Sequence, residues 1–280
     1  MNRSVAQTVA FSLLRGATFI VVVPVVLVVY FLASRGWQAL SWQFLTQMPT
    51  HGMREGGILS PIIGTLDLVA CTILIALPLG MLSAIYLSEY AKPGLFTRMV
   101  RLAIVNLAGV PSIVYGLFGL GVFVFLIKHE CILAGSLTLA LLILPVIIVA
   151  AEEALTSVPR SFREASLALG ATKWQTVRRV VLPNALPGII TGAILGISRA
   201  AGETAPIMFT AAAFYMPHLP KSLLDKVMAL PYHLFIISTQ VPDAPPRIQW
   251  GTALTLLLLV LSMNLAAALI RVHYRRKQSW

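Results

Sequence analysis

Charged residues are scarce in this sequence. They make up 11% of its 280 residues, whereas a soluble globular domain carries about 25%. Apolar residues make up 58% and gather in uninterrupted blocks, which excludes the pair of soluble domains that this length would otherwise suggest. We therefore expect an integral membrane protein.

Cysteine and histidine are also sparse. The two cysteines, Cys71 and Cys131, offer neither a metal site nor a disulfide framework, and we interpret both as structural. The five histidines are scattered outside the apolar blocks, and the phosphate-binding loop Gly-x-x-x-x-Gly-Lys-Ser/Thr is missing. We therefore predict no metal site, no catalytic residue and no bound cofactor in this chain, and we expect that it is not an enzyme.

Six apolar blocks approach or exceed the roughly 20 residues with which a helix crosses a bilayer. The first is longer than the roughly 7 to 15 apolar residues of a signal peptide, so we interpret it as a retained span. The blocks predict an all-α polytopic membrane protein with six transmembrane helices in one domain, residues 17–270. They cover residues 17–34, 62–88, 102–127, 133–151, 188–214 and 251–270.

Lysine and arginine predict the orientation, because cytoplasmic segments carry an excess of them. With the N-terminus inside, the inner segments hold 14 of these residues and the outer segments hold 6. We therefore predict that residues 1–16 and the basic tail 271–280 are cytoplasmic. The spread of charge over separate segments also argues against nucleic acid as a partner. Six prolines in the longest outer segment, 215–250, argue against a seventh span.

The largest inner loop lies between the fourth and fifth blocks, at residues 152–187. Pro159 precedes good helix formers and Gly170 is a natural helix stop, so this stretch predicts one short helix. A second is predicted from Thr172, an N-cap residue type, with Pro183 closing it. We call this pair of helices, residues 159–183, the bracket.

The spacing within the bracket resembles the signature loop of ABC-importer permeases. That loop has the pattern Glu-Ala-Ala, three residues, Gly, nine residues, Ile-x-Leu-Pro. This sequence keeps every spacing and departs at two positions, which hold Ser and Val. The resemblance implies a MetI-like permease fold in which the first bracket helix docks into a cytosolic ATPase subunit. The coupling residues that it implies are Glu164, Ala165, Ser166, Gly170, Leu182 and Pro183.

Two charged residues lie at membrane depth in the fifth block. Arg199 is about 16 Å from the inner surface of a core about 30 Å thick, and Glu203 follows one turn later on the same face. Arginine at the bilayer centre costs at least about 2.5 kcal/mol, so it normally faces a bundle interior or a water-filled path. Its fork of donors suits phosphate or carboxylate oxygens. The alternative is a salt bridge that only fixes helix packing.

Glycine and proline recur along the same block, before, within and after this pair. Gly188, Gly192 and Gly196 recur every fourth residue and predict the close approach of another helix at a bundle or subunit seam. Gly202 and Pro206 predict a kink or an unwound point near the membrane midplane. We therefore place the candidate transport site at this break.

Three segments carry a more specific resemblance, to the PstA-type permeases of phosphate ABC importers. They are Ser198-Arg-Ala-Ala-Gly-Glu-Thr-Ala-Pro206, Gly56-Gly-Ile-Leu-Ser-Pro-Ile-Ile-Gly-Thr-Leu66 and Leu107-Ala-Gly-Val-Pro-Ser-Ile-Val-Tyr-Gly-Leu-Phe-Gly119. The resemblance implies that Arg199 and Glu203 act in phosphate passage. It also implies a second homologous permease, an ATPase dimer that binds ATP and Mg²⁺, an extracytoplasmic phosphate-binding protein, and a place in the bacterial inner membrane.

The sequence also offers weaker candidate residues and competing functions. Asp67, Asn106, Ser112 and Tyr115 are weaker candidates for lining a path, with packing as the competing explanation. The alternative functions within transport are a permease for sulfate, molybdate or an amino acid, and the sister phosphate permease subunit. A membrane enzyme would need a nucleophile with a base, or a metal cluster, at one membrane face. A passive channel would work without an ATPase.

Overall fold

The computed structural model describes residues 3–276, which are mostly helical. Within them, five helices are long and apolar enough to cross a membrane, and one bent pair of helices corresponds to the remaining predicted block. The all-α prediction is confirmed, although two of the six predicted blocks, the third and the fifth, are broken. The five helices are Phe11–Ala39, Leu59–Tyr90, Ile132–Ser157, Lys173–Gly202 and Pro246–His273, and the bent pair is Leu95–Ala108 with Ser112–Ile127.

The described chain contains thirteen α-helices and one short antiparallel ribbon. Three of the helices continue into π-helical turns, at residues 86–90, 120–124 and 177–181. The helices are α1 (Arg3–Gly36), α2 (Trp42–Thr46), α3 (Leu59–Ile85), α4 (Leu95–Ala108), α5 (Ser112–Gly119), α6 (Phe125–Ile127), α7 (Ile132–Ser157), α8 (Arg160–Ala168), α9 (Lys173–Thr176), α10 (Leu182–Gly202), α11 (Ala205–Thr210), α12 (Leu230–Thr239) and α13 (Pro246–Arg276), and the strands are β1 (Pro49–Thr50) and β2 (Glu55–Gly56).

Helices α3, α7 and α10 form the centre of the bundle. Glycines on α10 allow its close contact with α7. A Cβ atom at Gly188 would lie 2.5 Å from the Cβ of Ala154, and one at Gly192 would lie 2.6 Å from the Cβ of Ala150. The predicted close approach is therefore confirmed, and the helix that approaches belongs to the same chain.

Helix α1 lies outside this centre. None of residues 11–35 is buried, and the helix packs mainly on α13. The Phe31 ring meets the Trp250 ring edge-on, with 5.2 Å between the ring centroids. The apolar surface of α1 is thus left for lipid or for another protein.

The third predicted block, residues 102–127, is not one continuous span. Helices α4 and α5 are bent by 103° at a break of three residues that ends with Pro111. Proline has no N–H to continue the hydrogen bonds of α4, and it disfavours helical backbone at the residue before it. The Tyr115 hydroxyl bridges the break by donating to the Leu107 carbonyl oxygen at 2.8 Å.

The fifth predicted block, residues 188–214, is broken where the sequence predicts. Helix α10 ends at Gly202, Glu203 is extended, and α11 follows from Ala205. The prediction that Pro183 closes a separate helix is wrong, because α9, the π turn and α10 run on as one helix from Lys173. The wider π turn before Pro183 accommodates a residue that has no N–H to donate.

The outer segment folds back onto the bundle, and we call residues 211–245 the outer cap. Its helix α12 has 10 residues, which is too short to cross a membrane, and packs on α3 and α13. The Leu230 N–H donates to Thr65 Oγ1 at 2.8 Å, and a Cβ at Gly64 would lie 2.0 Å from the Met228 carbonyl oxygen. The start of α3 therefore forms the seat of the outer cap.

Candidate functional site

Arg199 and Glu203 form an ion pair across the end of α10. Arg199 Nε lies 3.5 Å from Glu203 Oε1, and the two side chains are 32% and 16% exposed. Arg199 stands in the last turn of the helix, while Glu203 follows the last helical residue in an extended conformation with φ −73° and ψ 134°. The break predicted from Gly202 thus places the carboxylate beside the guanidinium.

The ion pair leaves part of the guanidinium uncommitted. Among residues 3–276 the Arg199 guanidinium has no hydrogen-bond partner, and its closest contact with Glu203 is made through Nε. Because a guanidinium binds two oxygens of one anion through neighbouring nitrogens, Arg199 retains donors for a ligand while its Nε faces Glu203. A half-exposed arginine at this depth requires water, an anion or another protein beside it.

Tyr115 is the weaker candidate that the fold brings towards this pair. It is 6% exposed and interacts electrostatically with Arg199. Helix α11 packs on α5 next to Tyr115 in the chain, since a Cβ at Gly116 would lie 2.9 Å from Phe209 and from Pro206. The break in the third block and the break in the fifth therefore meet beside Arg199.

Among residues 3–276, the other weaker candidates form no hydrogen bond or ion pair with Arg199. Asp67 is half-buried on α3 and interacts electrostatically with Cys71. Ser112 is half-buried at the start of α5, and Asn106 is exposed on α4. Their path-lining role stays a prediction.

Helix α13 fixes the rotation of α10 through two polar contacts. Ser198 Oγ, next to Arg199 in the chain, hydrogen-bonds to Asn264 Oδ1. The Nη1 atom of Arg271 lies 3.5 Å from Thr191 Oγ1, on the inner half of α10. Asn264 was not among the predicted residues, although an amide in a block without charged residues is a signal for an interhelical hydrogen bond.

The first helix of the bracket stops just before Gly170, as predicted. Gly170 has a left-handed backbone with φ 82°, and its N–H donates to the Leu167 carbonyl at 2.9 Å while the Ala171 N–H donates to the Ser166 carbonyl at 3.2 Å. These two bonds are the glycine-terminated stop of a helix. Thr172 then caps α9 in a reciprocal capping box.

The coupling residues predicted in the bracket divide into an exposed and a supporting set. Glu164 and Ala165 are exposed on α8, beside Leu169, which is 89% exposed. Ser166 is half-buried and lies 2.9 Å from Thr176 Oγ1, which ties α8 to α9. Of the remaining predicted residues, Leu182 is half-buried and Pro183 is exposed.

The support of the bracket includes a residue that the sequence analysis missed. Glu89, in the π turn after α3, receives Arg163 of α8, with 2.7 Å between Arg163 Nη2 and Glu89 Oε1. The two residues are 74 positions apart, so no local spacing connects them. A carboxylate near the inner end of an apolar block was the only signal.

Comparison with protein families gives one match over most of the chain. The model of the family described as binding-protein-dependent transport system inner membrane component matches residues 76–279. A relative named phosphate transport system permease protein PstA 1, from Mycobacterium tuberculosis (strain ATCC 25618 / H37Rv), is 34% identical over 99% of this chain and 91% of its own length. The protein named probable ABC transporter permease protein YqgI, from Bacillus subtilis, is 35% identical over 95% of each chain.

Solved structures share the fold at lower identity. A chain of the MetNI methionine ABC transporter in an inward-facing conformation aligns with a TM-score of 0.59 and 21% identity, covering 78% of this chain and 97% of that one. A chain of a bacterial transporter involved in the import of alginate aligns with a TM-score of 0.63 and 13% identity, covering 95% of both. At these identities the likeness concerns the fold alone.

Proposed function

The chain belongs to the family of binding-protein-dependent transport system inner membrane components, and on that premise we propose that it is one permease subunit of an ATP-driven phosphate importer. The observation that carries the proposal is the half-exposed guanidinium of Arg199 at membrane depth, with donors left over beside Glu203. The names of relatives that cover nearly the whole chain support phosphate as the transported anion.

The chemistry of the pair suits an anion that must bind and leave. Phosphate oxygens accept from the terminal nitrogens of Arg199 in a bidentate pair, while Glu203 stays on the Nε side. When no anion is bound, Glu203 neutralises the arginine and lowers the cost of holding its charge in the membrane. When an anion is bound, the carboxylate repels it and favours its release.

The exposed side of Arg199 supports a second, homologous permease as the other wall of the path. In the proposed complex, two copies of a cytosolic ATPase bind ATP and Mg²⁺ and hydrolyse ATP, and an extracytoplasmic protein delivers phosphate. The bracket contacts the ATPase through Glu164, Ala165 and the exposed apolar Leu169. Movement of the bracket then switches access to Arg199 from the outer to the inner side.

The excess of Lys and Arg in the inner segments supports an orientation with both termini in the cytoplasm. Such a chain is a multi-pass protein of the bacterial inner membrane. The bracket then lies on the ATP side, as coupling to a cytosolic ATPase requires.

Uptake measurements in proteoliposomes that contain the complete transporter test this function. Arg199→Ala removes a charged hydrogen-bonding fork worth about 1.5–3 kcal/mol, so phosphate uptake should fall at least about tenfold. Arg199→Lys keeps the charge without the fork and should be intermediate. Arg247→Ala, which removes an exposed arginine at the outer start of α13, serves as the matched control.

Two results would contradict the proposal. Unchanged phosphate uptake in Arg199→Ala would refute the role of this arginine. Labelled sulfate taken up by the unmodified transporter in preference to phosphate would refute the assigned substrate.

A further inference from the structure

The guanidinium of Arg163 uses all three of its nitrogens to join three helices. Nε and Nη2 contact the Glu89 carboxylate at 2.7 to 3.4 Å. Nη1 donates to the Val158 carbonyl at 2.7 Å, and Nη2 donates to the Leu155 carbonyl at 2.8 Å. We call Glu89, Arg163 and these two carbonyls the inner clasp, which fastens α8 to the ends of both α3 and α7.

The inner clasp is largely shielded from water. The Glu89 side chain is 9% exposed and that of Arg163 is 20% exposed. The two carbonyls lie at the C-terminal end of α7, where a helix has no partners of its own for its last carbonyl groups. Removing one member would therefore leave desolvated groups unpaired, which is strongly unfavourable.

Both bracket helices contact the π turn that carries Glu89. While Arg163 of α8 holds Glu89, Lys173 of α9 lies over the Tyr90 ring at 5.0 Å from its centroid. Leu87, which precedes both Glu89 and Tyr90 in the turn, is buried in the same cluster as Val177. The turn after α3 therefore receives the bracket on both sides.

Helix α3 connects this turn to the other side of the membrane. Together with its π turn it runs without interruption from Leu59 to Tyr90. Its outer end seats the outer cap through Gly64 and Thr65. A displacement of the turn is consequently transmitted along one helix to the outer cap.

We propose that the inner clasp holds the bracket and α3 together as one body during transport, so that Glu89 and Arg163 are positioning residues for coupling. The proposal rests on the function proposed above. Motion that the ATPase imposes on α8 then reaches the outer cap directly through α3, as well as along the chain through α9 and α10. Without the inner clasp, the ATPase still binds the bracket, but its motion is no longer transmitted to α3.

The test compares uptake and hydrolysis in proteoliposomes that contain the complete transporter. In Glu89→Gln, phosphate carried per ATP hydrolysed should fall about tenfold, which lies within the usual range of coupling between sites. Co-purification of the ATPase and the rate of hydrolysis should change less than about twofold. Glu153→Gln is the matched control, because Glu153 is an exposed carboxylate at the same end of α7.

A cross-link provides the second arm of the test. Cysteines replace Ser88 and Arg160, which line one surface pocket with Glu89 and Arg163, in a Glu89→Gln chain that also carries Cys71→Ala and Cys131→Ser. Serine keeps the side-chain cap that Cys131 gives to the Ala134 N–H. A short bifunctional thiol reagent that joins the two cysteines should restore phosphate carried per ATP.

The outcomes separate this inference from the function on which it rests. If Glu89→Gln keeps the phosphate-to-ATP ratio of the unmodified transporter, or if the cross-link lowers that ratio further, the inner clasp has no coupling role. If uptake, hydrolysis and co-purification fall in parallel, the inner clasp only stabilises the fold and the inference is overturned. Failure of the unmodified complex to import phosphate would instead refute the proposed function.

Discussion

Replacing Gly64 with alanine should detach the outer cap from the start of α3. The added Cβ would lie 2.0 Å from the Met228 carbonyl oxygen and 2.1 Å from Val227 Cγ2, whereas ordinary contact begins at 3.4 Å. A carbonyl oxygen belongs to the backbone and cannot rotate away as a side chain can. The outer cap must therefore retreat by more than about 1 Å, and overpacking of this kind costs about 1–3 kcal/mol.

The retreat also breaks a buried hydrogen bond next to Gly64. The Leu230 N–H donates to Thr65 Oγ1 at 2.8 Å, and leaving such a donor unsatisfied costs about a further 1–3 kcal/mol. The two contributions together predict that Gly64→Ala lowers the free energy of unfolding by about 2–6 kcal/mol. This is a large part of the stability of an ordinary protein.

Equilibrium unfolding in mixed micelles of dodecyl maltoside and dodecyl sulfate measures this loss. Limited proteolysis would show whether residues 211–245 become accessible first. Gly16→Ala is the matched control, since an alanine Cβ at Gly16 meets nothing within 4 Å and alanine favours a helix by about 1 kcal/mol over glycine. Equal unfolding midpoints for Gly64→Ala and Gly16→Ala would refute the reasoning.

Two further changes test other parts of the fold. Gly170→Ala places a Cβ on a backbone with φ 82° and should cost about 1 kcal/mol, seen as weaker co-purification of the ATPase; Gly94→Ala, with φ near 180°, should leave recovery unchanged. Burial lowers the pKa of His233 to about 4, below its unfolded value of about 6.5. The contribution of neutral His233 to the free energy of unfolding should therefore be fully present above pH 6.5 and be lost as the pH falls towards 4. This decline should be absent in His233→Leu.

Local signals in the sequence correctly predicted the ion pair of Arg199 with Glu203 and the helix end beside it. Arg199 and Glu203 are four residues apart, and Gly202 predicts the end of the helix between them, so the local course of the chain brings the two charges together. The stop at Gly170 and the cap at Thr172 are equally local. Each depends on residues within one or two turns, where spacing determines which side chains meet.

Structural features were not predictable where local signals competed or where the interacting residues were distant in the chain. Pro111 and Pro183 are both prolines in apolar surroundings, yet one breaks a span and the other continues a helix through a π turn. Tertiary packing overrides local preference at such positions, and no local pattern in the sequence encodes that packing. The seat of the outer cap at Thr65 and Leu230 joins residues 165 positions apart, which lies beyond any periodic pattern.

The exposure of α1 has a consequence for how freely its sequence can vary. Because none of residues 11–35 is buried, most side chains of this helix fit against no defined neighbour in their own chain. Exchange of one apolar residue for another along it should alter neither the bundle nor the path beside Arg199. Variation of the α1 sequence is then limited only by length, by apolar character and by whatever surface lies against the helix.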